Sequence, residues 1–247
     1  MLDTMPLRCF VNQNSQGAKE QTANHSHEIG AVIEIIKLVY DAFNYRPNLY
    51  AIITNLNKSP AIADLVVITE RGLGVVELKH APGSISLRGT TWYASSKPIP
   101  GNPALGYRNP HEQVQLYAGI IRDQLFEVPS NQPSWLPGKP TDWEKFQFGT
   151  AVCFTNQEVT FERFPFWHYQ KSNRNPHIKP WEQFSILTPA EIPGWVDALH
   201  FEAGKRHRGK FEPYRLMPDQ IMRIIPDVFE ATEWTELDKL TPVNNEI

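Results

Sequence analysis

The chain has almost no cysteine, with Cys9 and Cys153 the two such residues in 247. They stand far apart, at no metal-type spacing, and no signal-like segment opens the sequence. That argues against a disulfide-stapled scaffold and predicts reduced thiols in a cytoplasmic protein. Long apolar runs are also missing, so no membrane span and no membrane partner are expected. Strong charge of either sign is missing too: 24 Lys and Arg against 27 Asp and Glu leave a net −3. A nucleic-acid surface would therefore have to be local. No internal repeat or low-complexity tract is visible. What is present is an ordinary globular mix, 41% hydrophobic and 21% charged, long enough for one large domain or one domain with an appendage. Prolines are denser after residue 97 and predict turns and extended connections there.

The most informative stretch is Ile62–His80. It reads as two apolar runs rich in Val, Ile and Leu, joined at Glu70-Arg71-Gly72, and so as a buried hairpin. Gly72 is expected to supply a positive φ for the turn. Three charges interrupt the apolar background: Asp64 on the first run, Glu77 and Lys79 on the second. Charges on buried strands cost free energy unless paired or metal-bound. Glu77 and Lys79 are two apart and share a face, and folding the hairpin can bring Asp64 beside them. Two carboxylates and a lysine converging on a sheet form a candidate divalent-metal site with a cation next to it. A Lys79 ion pair with Glu77 or Asp64 that only holds the sheet together is the alternative reading.

Residues 1 to about 23 are mixed and polar, and are expected to form an arm or a frayed helix start. Ser26–Phe43 follows helical spacing through positions 29, 32, 33, 36, 39, 40 and 43, with Ser26 or Asn24 as cap. On that helix Glu34 falls opposite the apolar face. Glu28 falls at its margin, either reaching a site on the sheet or simply favoured near the helix N-terminus. Leu49–Thr54 reads as a first strand, and Asn55–Pro60 as a loop. Ser84–Leu87 and Thr91–Ala94 predict a small hairpin. Asn109 as cap, Pro110 at the first helical position and Glu112 as capping-box acid predict a helix to about Phe126. Gln113 lies in its first turn, where an ordinary polar helix residue would also fit. Residues 127 to 146 read as an irregular connection, and Phe148–Phe154 as a buried strand, the partner of the hairpin. Residues 156 to 185 show little periodicity. Two helices are expected near 189–204 and 217–229, with a basic cluster, Lys205–Lys210, between them. That cluster could touch a phosphate backbone, although a solvated loop is the commoner use.

A helix bearing Glu28, a strand with Asp64 and a strand with Glu77-Leu78-Lys79 resemble the PD-(D/E)XK nuclease superfamily. The longer string from Ala63 to His80, with Trp92 after it and Asn109-Pro110 and Gln113 opening the next helix, resembles the nuclease-related (NERD) domain within it. The resemblance covers about residues 26 to 160. Ala63 departs from the proline of the superfamily motif, at a position that supports the backbone. The chain shows neither a Gly-rich phosphate loop with a lysine nor kinase catalytic motifs, so the resemblance is to the nuclease-like part alone.

The resemblance implies an α/β fold with a restriction-endonuclease-like core: a mixed β-sheet flanked by helices, in residues 1–160. An irregular and helical C-terminal extension, residues 161–247, would be packed on that core or appended to it. It implies a nuclease that cuts DNA, ahead of RNA, in DNA repair or defence against foreign DNA. Asp64, Glu77 and the Leu78 carbonyl would hold Mg²⁺ or Mn²⁺, and Lys79 would orient the attacking water or offset charge on phosphorus. Gln113 and Glu28 would support the site. A nuclease fold used only for nucleic-acid binding or protein assembly is the competing expectation; Trp135, Trp143, Trp167 and Trp181 could anchor a homo-oligomer or partner protein, although core packing is their commoner use. Zinc is not expected, because His25, His27 and His80 lack further ligands at the right spacing.

Overall fold

A computed structural model describes residues 7–12, 26–58, 61–101, 109–126, 147–161, 183–206 and 215–234. Two of the expected helices have the bounds read from their caps and apolar spacing. Helix α1 is Ser26–Phe43 and helix α2 is Pro110–Phe126. On α1 the buried stripe is Ala31, Val32, Ile35, Ile36, Val39 and Phe43, while Glu34 is exposed as its angular position predicts. On α2, Asn109 Oδ1 accepts a hydrogen bond from Glu112 N at 3.0 Å, which is the N-cap in atomic form.

Seven strands build the main sheet. In chain order they are β1 (Leu7–Asn12), β2 (Tyr50–Lys58), β3 (Ala61–Thr69), β4 (Gly72–Lys79), β8 (Gln147–Phe154), β10 (Gln183–Leu187) and β11 (Ala231–Glu233). Across the sheet the order is β10-β8-β4-β3-β2-β1-β11. Strand β3 runs antiparallel to both β2 and β4, while β8 lies parallel to β4. The sheet is therefore mixed, and its apolar strands are buried on both faces. The two end strands, β10 and β11, come from beyond residue 160. A second sheet of four short strands has the order β7-β6-β5-β9. Its members are β5 (Ser84–Arg88), β6 (Thr91–Ala94), β7 (Lys97–Ile99) and β9 (Thr160–Phe161).

Helices cover both faces of the main sheet. On one face α1 packs with α3 (Ile192–Arg206), whose Ile192, Trp195, Val196 and Leu199 share a core with Ile52, Leu65, Val67 and Val76. On the other face α2 packs with α4 (Pro218–Asp227) and the small sheet, around Val66, Val75, Trp92, Val114 and Ile224. Glu77 and Lys79 alternate with the strand residues of the α1 side and so belong to the α2 face. The pairing Gly74↔Gly149 leaves a patch without side chains on the first face, and Trp195 and Leu199 of α3 lie directly on it.

Four expectations are corrected. Residues 7–12 are not an arm but strand β1, because Leu7, Cys9 and Phe10 are buried between β2 and β11. The segment from Asn55 is not a loop, since β2 continues to Lys58 opposite β3. The β3–β4 turn does not use a positive φ at Gly72; the positive-φ glycines among the described residues are Gly83 and Gly89. The Thr69 hydroxyl holds the turn instead, accepting from Gly72 N at 2.9 Å and Arg71 N at 3.2 Å and donating to Gly72 O at 3.1 Å. Tyr40, placed on the apolar face of α1, is 43% exposed. Of the basic cluster Lys205–Lys210, Lys205 and Arg206 end α3, while 207–210 and the four tryptophans named above lie outside the described residues. Both cysteines are free and buried. Burial pushes the Cys9 thiol up to about 12 and raises that of Cys153 as well, so neither is a reactive thiolate. Among the described residues no helix is long and apolar enough to cross a membrane.

Candidate active site

The last pair in the β3–β4 ladder before the candidate site is Leu65↔Val76. Asp64 is the next residue of β3, just past the end of that ladder. The β2–β3 ladder is interrupted at the same place. The β2–β3 register passes from Thr54↔Leu65 to Leu56↔Ala63, leaving Asn55 opposite Asp64 outside the ladder. Asn55 sits at φ +51, a left-handed conformation that asparagine tolerates better than most residues. The break shifts the facing of the chain by one residue, so Ile53 and Leu56 enter the same core, as do Ala63 and Val66. At this break the Asp64 carboxylate reaches the β4 backbone, and Leu78 N donates to Asp64 Oδ2 at 2.7 Å.

Glu77 is 4% exposed. Its Oε1 accepts from Lys79 Nζ at 2.7 Å and from Gln113 Nε2 at 2.7 Å. Neither bond uses Oε2. Gln113 Oε1 in turn accepts from Lys79 Nζ at 3.4 Å, and its Nε2 also donates to Tyr117 Oη at 2.9 Å. One amide thus presents its oxygen to the ammonium and its NH₂ to the carboxylate. The geometry joins β3, β4 and α2 around Leu78. Of the residues singled out from the sequence, Asp64, Glu77, Lys79 and Gln113 are brought together. Glu28 lies on the first turn of α1, and its side chain is outside what the structure describes. Tyr117 is an addition: its apolar position on α2 hid its hydroxyl, and the readable signal was the spacing of four from Gln113.

A cation placed here would find two carboxylates and the backbone carbonyl of Leu78 as donors. Its hard oxygens suit Mg²⁺ or Mn²⁺, and it is one carboxylate short of a three-acid site. Among the described residues no three His, Cys, Asp or Glu side chains gather to hold a metal. His80 does not look toward such a cluster; its Nδ1 lies 3.2 Å from Thr155 Oγ1 and its Nε2 3.3 Å from Asn156 Nδ2.

A family model described as the nuclease-related domain matches residues 29–155, just over half of the chain. The chain belongs to the nuclease-related domain family. That family is part of the PD-(D/E)XK-like nuclease superfamily, and the mixed sheet flanked by helices is consistent with a restriction-endonuclease-like core. No significant match was found among curated proteins or among solved structures. The matched segment holds every strand and helix that positions Asp64, Glu77, Lys79 and Gln113.

His111, two residues before Gln113, is 3% exposed. Burial pulls its imidazole down to about 3 from an ordinary 6.5. The neutral ring is consistent with Gln115 Nε2 at 2.6 Å from His111 Nε2, and with Phe184, whose ring centre is 4.0 Å away. In the unfolded chain this histidine takes a proton below about pH 6.5. In the fold it stays neutral until the pH approaches 3. Its contribution to stability is therefore complete above pH 6.5 and declines as pH falls from there toward 3. The slope is at most about 1.4 kcal/mol per pH unit for one proton. In urea titrations between pH 7.5 and 4.5, His111→Gln is expected to flatten this acid limb. An unchanged limb would assign it to other groups.

Proposed function

We propose that this NERD protein is a Mg²⁺- or Mn²⁺-dependent phosphodiesterase that cuts DNA, in DNA repair or defence against foreign DNA. The observation that carries this reading is Glu77, a nearly buried carboxylate held by Lys79 and Gln113 beside Asp64 on family-matched strands. Buried ion pairs stabilise poorly compared with apolar residues, so retaining three polar groups on these strands argues for chemistry. Asp64, Glu77 and the Leu78 carbonyl would hold the cation. When bound, the cation supplies a Lewis acid for a phosphate oxygen and lowers the pKa of a water.

The chain's own groups have separable tasks. The Asp64 bond to Leu78 N fixes where the two strands part, and with it the aim of the Leu78 carbonyl. Lys79 is 21% exposed at its side chain, so its ammonium can turn from Glu77 toward a phosphate and offset charge developing there. Gln113 bonds both partners and holds Glu77 in place while Lys79 moves.

The Lys79–Glu77 pair is also what a purely structural role would leave. It favours a second reading, a catalytically inactive nuclease fold used for nucleic-acid binding or assembly. Supercoiled plasmid incubated with Mg²⁺, Mn²⁺ or EDTA separates the two. Nicking that needs the metal and disappears in Asp64→Asn is the expected result. No cleavage with either metal, together with no Mn²⁺ binding by calorimetry, would leave the second reading standing.

A further inference from the structure

The small sheet has a charge pattern that the catalytic residues do not explain. From Leu78 to His111, 34 residues, the sequence has no Asp or Glu. An even spread of the chain's 27 acids would put between three and four there. The same stretch carries Lys79, Arg88, Lys97 and Arg108. It is a locally basic run inside a chain of net charge −3, and it starts in the candidate site and ends just before Gln113. Arg108 lies outside the described residues; the other three do not.

The fold decides which way the run faces. Ile85, Trp92 and Ile99 are buried in the core shared with α2. Alternation then turns Ser84, Ser86 and Arg88 of β5, with Thr91 and Tyr93 of β6, to the other side. The register Ser86↔Tyr93 and Arg88↔Thr91 makes them one surface. Arg88 is exposed, and its guanidinium lies 4.9 Å from the centre of the Tyr93 ring, an arrangement that steadies a long side chain. Lys97, at the start of the edge strand β7, stands in register with Ala94 and so starts from the other side of the sheet, but it is exposed at that edge. On the β9 side the connection carries Glu158, so the basic character lies toward β6, β7 and the turn at Gly89.

The sheet is also tied to the site at two points. Four residues separate Lys79, the last of β4, from the start of β5. At the other end of β5, Asn109 Nδ2 donates to Thr90 O at 2.8 Å while Asn109 Oδ1 caps α2, the helix of Gln113. The turn beside Arg88 is thus fixed to the helix that holds Glu77.

We propose that the outer face of the small sheet, centred on Arg88 and Tyr93, with the exposed Lys97 at its β7 edge, is where the sugar-phosphate backbone of a DNA substrate lies as it reaches Glu77 and Lys79. Hydroxyls, a guanidinium and an ammonium, all from a stretch of sequence with no Asp or Glu, match phosphate oxygens and carry no base-edge code. Binding there is independent of base sequence and falls with salt as counterions are released. The proposal rests on DNA being the substrate, and its test does not need cleavage.

Fluorescence anisotropy with a labelled DNA duplex in EDTA measures affinity from low to moderate salt. The double substitution Arg88→Ser with Lys97→Ser is expected to weaken binding about tenfold and to lower the slope of log K against log salt by about 2, near 0.9 for each lost phosphate contact. Lys37→Ser, an exposed position on α1 across the main sheet, is the control and should bind as wild type. Equal affinity and slope in the double variant, or no binding by wild type, would overturn the proposal. So would tighter binding to an RNA duplex than to DNA. Wild-type DNA binding without metal-dependent cleavage would sink the nuclease reading and leave this surface in place. Cleavage with unaltered binding by the double variant would do the reverse.

Discussion

Glu77→Gln is expected to bring metal-dependent DNA cleavage to background, a loss of about a thousandfold or more, while the protein unfolds at nearly the wild-type temperature. The amide keeps the shape of the carboxylate, and its oxygen can still accept from Lys79 Nζ and Gln113 Nε2, the two bonds that Glu77 Oε1 makes. What it loses is the negative charge that would hold the proposed cation. Glu77→Ala should be inactive for the same reason but also less stable. It leaves the Lys79 ammonium and the Gln113 amide beside an empty space, which costs about 2 kcal/mol or more. Comparing the two variants by plasmid nicking and thermal unfolding separates chemistry from scaffolding. A Glu77→Gln protein that still cuts DNA at the wild-type rate would make the Glu77–Lys79 pair purely structural.

The largest expected effect on stability lies on the opposite face of the same strand. A Cβ added at Gly74 would stand 2.6 Å from Leu199 Cδ1 and 2.8 Å from Trp195 Cζ3. At Gly149, its neighbour in register, it would stand 2.5 Å from Leu199 Cδ2 and 3.1 Å from Trp195 Cζ2. Real Cβ atoms do not approach that closely, so α3 would have to lift from the sheet or Trp195 would have to leave its rotamer. Gly74→Ala is therefore expected to cost about 3 kcal/mol, the upper range for overpacking a core. In a domain of this size that corresponds to a drop in Tm of about 10 °C. Gly149→Ala mainly meets the end of a leucine, so pairing it with Leu199→Ala should recover part of the loss, giving a coupling that a double-mutant cycle can read. A Gly74→Ala protein that melts with wild type would show that α3 is not held against the sheet at this point.

Elements with a local physical signature could be read directly. Helix α1 follows from its apolar spacing, helix α2 from the Asn109–Pro110 start, and the β3–β4 hairpin from two Val- and Ile-rich runs. The convergence of Asp64, Glu77 and Lys79 followed from strand periodicity once the hairpin was placed. Elements defined by distant partners could not be read. Strand β1 has six residues and becomes recognisable only between β2 and β11. The continuation of β2 past Asn55 was hidden because Asn-Leu-Asn-Lys-Ser-Pro has turn composition, whereas β3 opposite it supplies the ladder. The Thr69 turn was misread because glycine is the usual signal, and a hydroxyl bonding its own backbone leaves no comparable mark. The interruption at Asn55 and Asp64, which frees the Asp64 carboxylate to meet Leu78 N, needs both registers at once.

The pairing of β1 with β11 sets an order of assembly. Phe10 faces Glu233, and Asn12 Nδ2 donates to Phe229 O at 2.7 Å across 217 positions of chain. Strands β2, β3 and β4 are joined by short connections and can zip together while the ribosome is still adding residues. Strand β1 can join β2 at that stage, but its other edge must wait until almost the whole described chain has been made. During synthesis that edge is a strand offered to any neighbour, and in the folded protein it is closed by a segment that emerges more than 200 positions later.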